Sequence, residues 1–111
     1  MNVEVERGEQ WTVLRVLEER VDAHNSGELK SVLLELLEKN VASLAVDLSQ
    51  VRFIDSSGLG ALLAGYKNAN LRQARLLLVG VQPRVQSMFE LTRLHHVFEM
   101  VNHLDEVSIQ Q

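Results

Sequence analysis

At 111 residues the chain has room for one domain, expected over residues 1–111, with a single ordinary core. A hydrophobic content of 46% at a net charge of −4 excludes a disordered chain, and the lack of a basic stripe gives no reason to expect nucleic acid as a partner. With no cysteine, no signal-peptide pattern and no apolar run of membrane-spanning length, the sequence points to a cytoplasmic protein without disulfides or membrane insertion.

Val3 and Val5 alternate with Glu4 and Glu6, the period of a strand with one wet face. Arg7 to Gln10 supply a turn and Trp11 to Leu17 resume as strand, so the chain opens on a predicted hairpin. The second strand is apolar on both faces, Val13 and Leu17 on one and Leu14 and Val16 on the other, which places it inside the sheet. Glu18 to Asp22 lead to a helix for which Asn25 and Glu28 form a capping box. Leu29, Val32, Leu33, Leu36 and Leu37 follow the i, i+3, i+4, i+7, i+8 rule, and Asn40 is placed to end the helix in the left-handed conformation.

Leu44, Val46 and Leu48 form the next strand, and Arg75 to Val81 a further, buried one. Pro83 suits the first position of a helix that continues through Val85, Met88 and Phe89. Val97 to Val101 read as a short strand. Asn102 with Asp105 predicts the cap of a closing helix through Leu104, Val107 and Ile109. A hairpin followed by alternating helices and strands indicates a single α/β domain with a largely parallel sheet and right-handed crossovers. The short connections predict that neighbouring strands add in chain order.

The stretch Val51 to Leu63 stands out within this pattern. An acid, two adjacent hydroxyls and two glycines, Asp55-Ser56-Ser57-Gly58-Leu59-Gly60, sit between a strand-like run and a helix. Asp and Ser accept hydrogen bonds from the orphan N–H groups of a first helical turn, so one reading is simply a capped helix start. Gly58 and Gly60 each weaken that helix by roughly 1 kcal/mol relative to alanine, which suggests close approach to the backbone. From Phe53 to Tyr66 the only acid or base is Asp55, a surface suited to being covered by another protein. Leu59, Leu62, Leu63 and Tyr66 share one face of the helix, and Gly58, Ala61 and Gly65 a second, small-residue face. That small face fits either close packing on a neighbouring element or a partner.

Catalytic and metal chemistry find no support in the residue spacings. No zinc-ligand spacing joins His24, His95, His96 and His103, and adjacent His95 and His96 are expected to point apart, as surface or interface side chains. Neither serine lies in Gly-x-Ser-x-Gly, and Gly58-Leu59-Gly60 runs into Ala61-Leu62-Leu63, so the phosphate-loop patterns fail as well. The sequence therefore predicts no enzyme, no catalytic residue, no metal and no cofactor.

The run Asp-Leu-Ser-x-Val-x-Phe-Ile-Asp-Ser-Ser-Gly-Leu-Gly at Asp47 to Gly60 resembles the signature of the STAS domain, named for sulfate transporters and anti-sigma factor antagonists. More narrowly it is similar to the bacterial anti-anti-sigma factors, over nearly the whole chain and most specifically at Asp55 to Gly60. The resemblance implies the same fold, with the serine-bearing loop at the C-terminal end of a strand. It also implies a phospho-switch. The unphosphorylated protein binds an anti-sigma factor that is itself a serine kinase, and so frees a sigma factor. Phosphorylation of the serine after the motif's aspartate, here Ser56, blocks binding, and a serine phosphatase resets the state. Asp22, Asp55, Ser57, Gly58, Leu59 and Leu62 are the expected partner-binding residues. A different role for the same domain is an accessory or scaffold subunit of a lipid-transporter or stress-signalling assembly. The chain departs from the resembled pattern twice. Glu19-Arg20-Val21-Asp22 stands where Gly-Glu-Leu-Asp is common, and the usual glycine near Arg72 to Arg75 is missing.

Overall fold

The computed structural model describes residues 1–108, with side chains through Glu106. In chain order the elements are β1 (Val3–Arg7), β2 (Thr12–Val16), β3 (Arg20–Val21), α1 (Ser26–Glu38), β4 (Ser43–Asp47), β5 (Phe53–Ile54) and α2 (Ser56–Leu71). They continue with β6 (Arg75–Val79), α3 (Pro83–Leu91), a 3₁₀ turn (Leu94–His96), β7 (Glu99–Val101) and α4 (Asp105–Ser108). Five strands make one sheet in the order β1-β2-β4-β6-β7, antiparallel at the hairpin and parallel elsewhere. The strands thus add in chain order, and β2 lies inside the sheet as its two apolar faces require.

Strand alternation sorts the side chains into two layers. Leu14, Val16, Leu44, Val46, Leu76 and Leu78 face the helices. They pack on Leu29, Leu33, Leu36 and Leu37 of α1, on Leu59 and Leu62 of α2, and on Val85 and Phe89 of α3. Phe98 closes this layer, edge-on to Tyr66 at 5.3 Å and to Phe89 at 5.5 Å. The opposite face carries the smaller cluster of Trp11, Val13, Ala45, Leu77 and Val79, with Leu104 against it.

Local chemistry sets the turns. The Gly8 N–H donates to the Trp11 carbonyl at 2.8 Å, and a Cβ on Gly8 would lie 2.9 Å from that same oxygen. Asn40 ends α1 with φ 61°, as expected. At the end of α2 the equivalent left-handed position is held by Gln73, with φ 57°, which is how the chain manages without the missing glycine.

Two expected caps are not made. Asn25 stands at the N-cap of α1 but makes no side-chain cap bond, and Glu28 turns to the Met1 amino group at 2.6 Å, so no capping box forms. Asn102 does not cap the closing helix either. That helix starts at Asp105, Leu104 precedes it, and the Glu106 carboxylate accepts from the His103 N–H at 3.2 Å. Of the positions predicted along it, Val107 falls outside the described side chains and Ile109 outside the described residues.

β3 and β5 are elements that the sequence pattern does not show. They pair parallel as a separate two-stranded sheet, Arg20 opposite Phe53 and Val21 opposite Ile54. Elements this short carry no period to read.

Candidate functional site

The site is built on that small sheet. Val21 and Ile54 are buried, pinning one side of it to the core. Alternation turns Arg20, Asp22, Phe53 and Asp55 to the other side. The Asp55 N–H donates to the Val21 carbonyl at 3.2 Å, continuing the ladder so that Asp22 and Asp55 end the two strands side by side. Helix α2 begins at once. Asp55 is its N-cap, in extended conformation, and its Oδ1 accepts from the Gly58 N–H at 3.0 Å. Ser56 and Ser57 follow as the first two helical residues. Both are exposed, and neither hydroxyl makes a hydrogen bond among the described residues.

The two glycines of the motif do different work. A Cβ on Gly58 would fall 2.6 Å from Ile54 Cγ1 and 2.8 Å from the Val21 carbonyl oxygen, so the first turn of α2 lies directly on the small sheet. A Cβ on Gly60 would meet nothing within 4 Å. Gly58 is thus needed for packing, whereas Gly60 answers to nothing inside the molecule. Gly65, on the same small-residue face as Gly58, packs against Leu33 of α1, which settles that face as an internal contact.

This geometry corrects part of the expected docking face. Gly58 is buried, Leu59 is 2% exposed and Leu62 0%, because their spacing points them at the sheet and α1. The Leu59 and Leu62 side chains are spent on the protein's own core. The solvent side of the helix start carries Ser56, Ser57 and Gly60, backed by half-buried Leu63 and Ala64.

Asp22 is held by its own loop. Its Oδ1 accepts from the His24 N–H at 3.0 Å, His24 Nδ1 lies 3.5 Å from Oδ1, and Arg20 Nε lies 3.7 Å from Oδ2. The hydrogen bond from His24, against a smaller opposing desolvation and helped by the charges of His24 and Arg20, keeps this carboxyl below the ordinary carboxylate range. Asn25 staples the loop from below, accepting from the Asp22 N–H at 2.9 Å and donating to the Arg20 carbonyl at 2.8 Å. Its amide is spent here, which is why it does not cap α1.

No local pattern in the sequence points to the Arg20–Phe53 stack, with the guanidinium carbon 4.2 Å from the ring centre. Register across a two-residue strand is the only signal that joins the two positions. Elsewhere, His95 and His96 do not point apart: the 3₁₀ turn brings their rings to 3.9 Å. Among the described residues no group of three or more His, Asp or Glu side chains is placed to hold a metal ion, and no helix is long and apolar enough to cross a membrane.

A two-stranded platform that presents paired acids and free hydroxyls at a helix start, beside a five-stranded α/β sheet, defines a regulatory binding domain. Residues 2–107 match the STAS domain, and the chain belongs to that family, whose anti-sigma factor antagonists bind rather than catalyse. Within it, the chain is similar to an anti-sigma-B factor antagonist of Listeria monocytogenes, 33% identical over 82 residues, 74% of this chain and 72% of that one. The fold is similar to a solved anti-sigma factor antagonist of Mycobacterium paratuberculosis, with a TM-score of 0.86 at 24% identity, covering 98% of this chain and 92% of the other. It is also similar to the Bacillus cell fate determinant SpoIIAA in its phosphorylated form, with a TM-score of 0.73 at 16% identity, covering 99% and 100%.

Proposed function

We propose that this protein is a phospho-switched anti-sigma factor antagonist, acting in the cytoplasm. Unphosphorylated, it binds an anti-sigma factor that is also a serine kinase and thereby frees a sigma factor. Phosphorylation of Ser56 breaks the complex, and a serine phosphatase restores it. The observation that carries this reading is the exposed, hydrogen-bond-free Ser56 hydroxyl in a helix turn already capped by Asp55. Anti-sigma-B factor antagonists among the relatives support the partner class, and a protein of the same fold is known in a phosphorylated form.

In the kinase step Ser56 Oγ attacks the γ-phosphorus of ATP, the bond to ADP breaks, and the hydroxyl proton passes to a base of the kinase. The product carries about −1.5 to −2 charges and three acceptor oxygens. The helix N-terminus favours that anion by roughly 0.3–1 kcal/mol, and repulsion from Asp55 at an exposed site is of similar size, so the helix is not expected to melt. A partner seated on Ser56, Ser57 and Gly60 would instead have to cover a dianion beside Asp22 and Asp55, a like-charge juxtaposition of several kcal/mol. At about 1.4 kcal/mol per tenfold, this suffices to dissociate a micromolar complex.

The test is incubation with the cognate kinase and ATP, followed by peptide mapping and amide exchange. Phosphate is expected on Ser56, with exchange altered near Asp22 and at 55–60 and unchanged over 62–70. Ser56→Asp should fold and lose partner binding, and Ser56→Ala should bind and escape inactivation. Phosphate on Ser57 or elsewhere, or equal affinity of the two variants, would overturn the proposal.

A further inference from the structure

Gly60 weakens its helix and serves nothing inside the molecule. It is the fifth residue of α2, past the first turn, where glycine is less favourable than alanine. Its backbone lacks the positive φ that calls for glycine at Gly80, and a Cβ at 60 would meet nothing within 4 Å. At Gly58 and Gly65, by contrast, a Cβ would press on Ile54 and Leu33. Gly60 is exposed, one turn after Ser56 and Ser57 on the solvent side of α2. Helical side chains lean toward the N-terminus, so a side chain at 60 would lie over the turn that holds the two serines. Half-buried Leu63 and Ala64, one turn further on, wall this notch from the other end. Between Asp55 and Lys67 the chain carries no charged side chain. Gly27 is as open, but it lies in the first turn of α1 with exposed Lys30 next along its face, so no apolar surface continues from it.

From this we propose that Gly60 is a specificity-determining residue of the docking surface, and that its empty place receives an apolar side chain of the anti-sigma factor. The inference rests on the function proposed above and deepens it, naming the point of closest approach and the chemistry that fills it. A residue without a Cβ lets the partner reach the helix backbone and cover the exposed part of Leu63 in the same contact. A charged occupant would find no countercharge within a turn of α2, whereas an apolar one has no hydrogen bond to lose on being covered. The free hydroxyls of Ser56 and Ser57 supply the polar rim that such a contact has. The notch also joins the switch. Ser56 lies four residues before Gly60, about 6 Å along the axis at 1.5 Å per residue. A phosphate there sets a hydrated dianion against the apolar occupant, so binding is lost through desolvation at the notch as well as through the acid pair.

The test measures affinity for the purified cognate anti-sigma factor, with urea titrations to show that each variant is folded. Gly60→Ala should be more stable than the unaltered protein yet bind the partner roughly tenfold more weakly, and Gly60→Leu roughly a hundredfold more weakly. Gln73→Gly, at the far end of α2, should bind unchanged. Weaker binding by a more stable protein is a result that a merely structural glycine does not give. Ala64→Lys and Ala64→Glu, which set either charge beside the notch, should both weaken binding. Tighter binding by one of them would show a charged occupant and overturn the inference. Should Gly60→Leu fail to fold, Gly60→Ala and Gly60→Ser decide. If the folded Gly60 variants bind within twofold of the unaltered protein while Ser56→Asp loses binding, the inference is wrong and the proposed function stands. If Ser56→Asp also binds normally, both are wrong.

Discussion

Helices α1 and α2 leave the same two-stranded sheet side by side, and each is opened by an Asx residue with a glycine close behind. They are nevertheless built differently. In α2 the cap residue Asp55 bonds Gly58, and Gly58 presses on Val21 and Ile54. In α1 the amide of Asn25 is spent on the loop that carries Asp22, the helix is left without a side-chain cap, and a Cβ on Gly27 would meet nothing within 4 Å. The helix that carries the serines is clamped to its platform. The other gives up its cap to hold an acid in place.

The largest effect should come from testing the clamp. Gly58→Ala puts a methyl 2.6 Å from a core side chain and 2.8 Å from a backbone oxygen, and should destabilise the fold by about 1–3 kcal/mol in urea titrations. Gly27→Ala and Gly60→Ala, in open space on helices, should each stabilise it by roughly 0.5–1 kcal/mol. If Gly58 tolerates alanine as well as Gly27 does, the contrast between the two helix starts is false.

The caps come next. Asn25→Ala removes two hydrogen bonds from the loop and should cost about 1–2 kcal/mol, with faster amide exchange at Asp22. Asp55→Ala should cost about 0.5–2 kcal/mol, with faster exchange at Gly58. Exchange data that place both losses at the helix starts would show that Asn25 works as a cap after all.

The far ends sharpen the comparison further. Both helices end on a left-handed residue, but asparagine tolerates that conformation and glutamine less so. Gln73→Gly should stabilise the fold by roughly 0.5–1 kcal/mol, read as a higher urea midpoint, because the left-handed cost it relieves, roughly 1–2 kcal/mol, exceeds the unfolded-chain entropy it adds. Asn40→Gln should lower that midpoint.

The smallest effect is in acid. Because the Asp22 carboxyl titrates below its unfolded value near 3.9, its stabilisation is present above about pH 4 and lost as pH falls through the lower folded value. Asp22→Asn should therefore be less stable than the unaltered protein at neutral pH, and the two should converge in acid melts. Curves that stay parallel down to the lowest pH would show that Asp22 is not so held.

The sequence carried the sheet and its strand order because Leu14, Val46 and Leu78 lie in runs long enough to show their period. It carried the Ser56 loop because the chemistry there is local, an acid and hydroxyls before a helix. The helical period that marks α2 also offers Leu59 and Leu62 as a docking face, whereas the structure buries both in the core. An apolar stripe marks a buried side without saying whether the cover is the protein's own core. Asn25 satisfied the pattern of a cap, and only the tertiary position of Asp22 diverts its amide. Arg20 and Phe53 meet through pairing of segments far apart in the chain, which no local pattern can encode.

The strand order also bears on how the chain is made. Strands that join the sheet in chain order keep each new pairing close to the last along the chain, which holds down the loop-closure cost of β1, β2 and β4. The exception is the platform, since β3 must wait for β5, with α1 and β4 synthesised in between. Until that wait ends, Val21 has no partner strand, and Ser56 belongs to an uncapped stretch without the acid pair around it. Ser56 therefore lies beside the acid pair only once β5 has paired with β3.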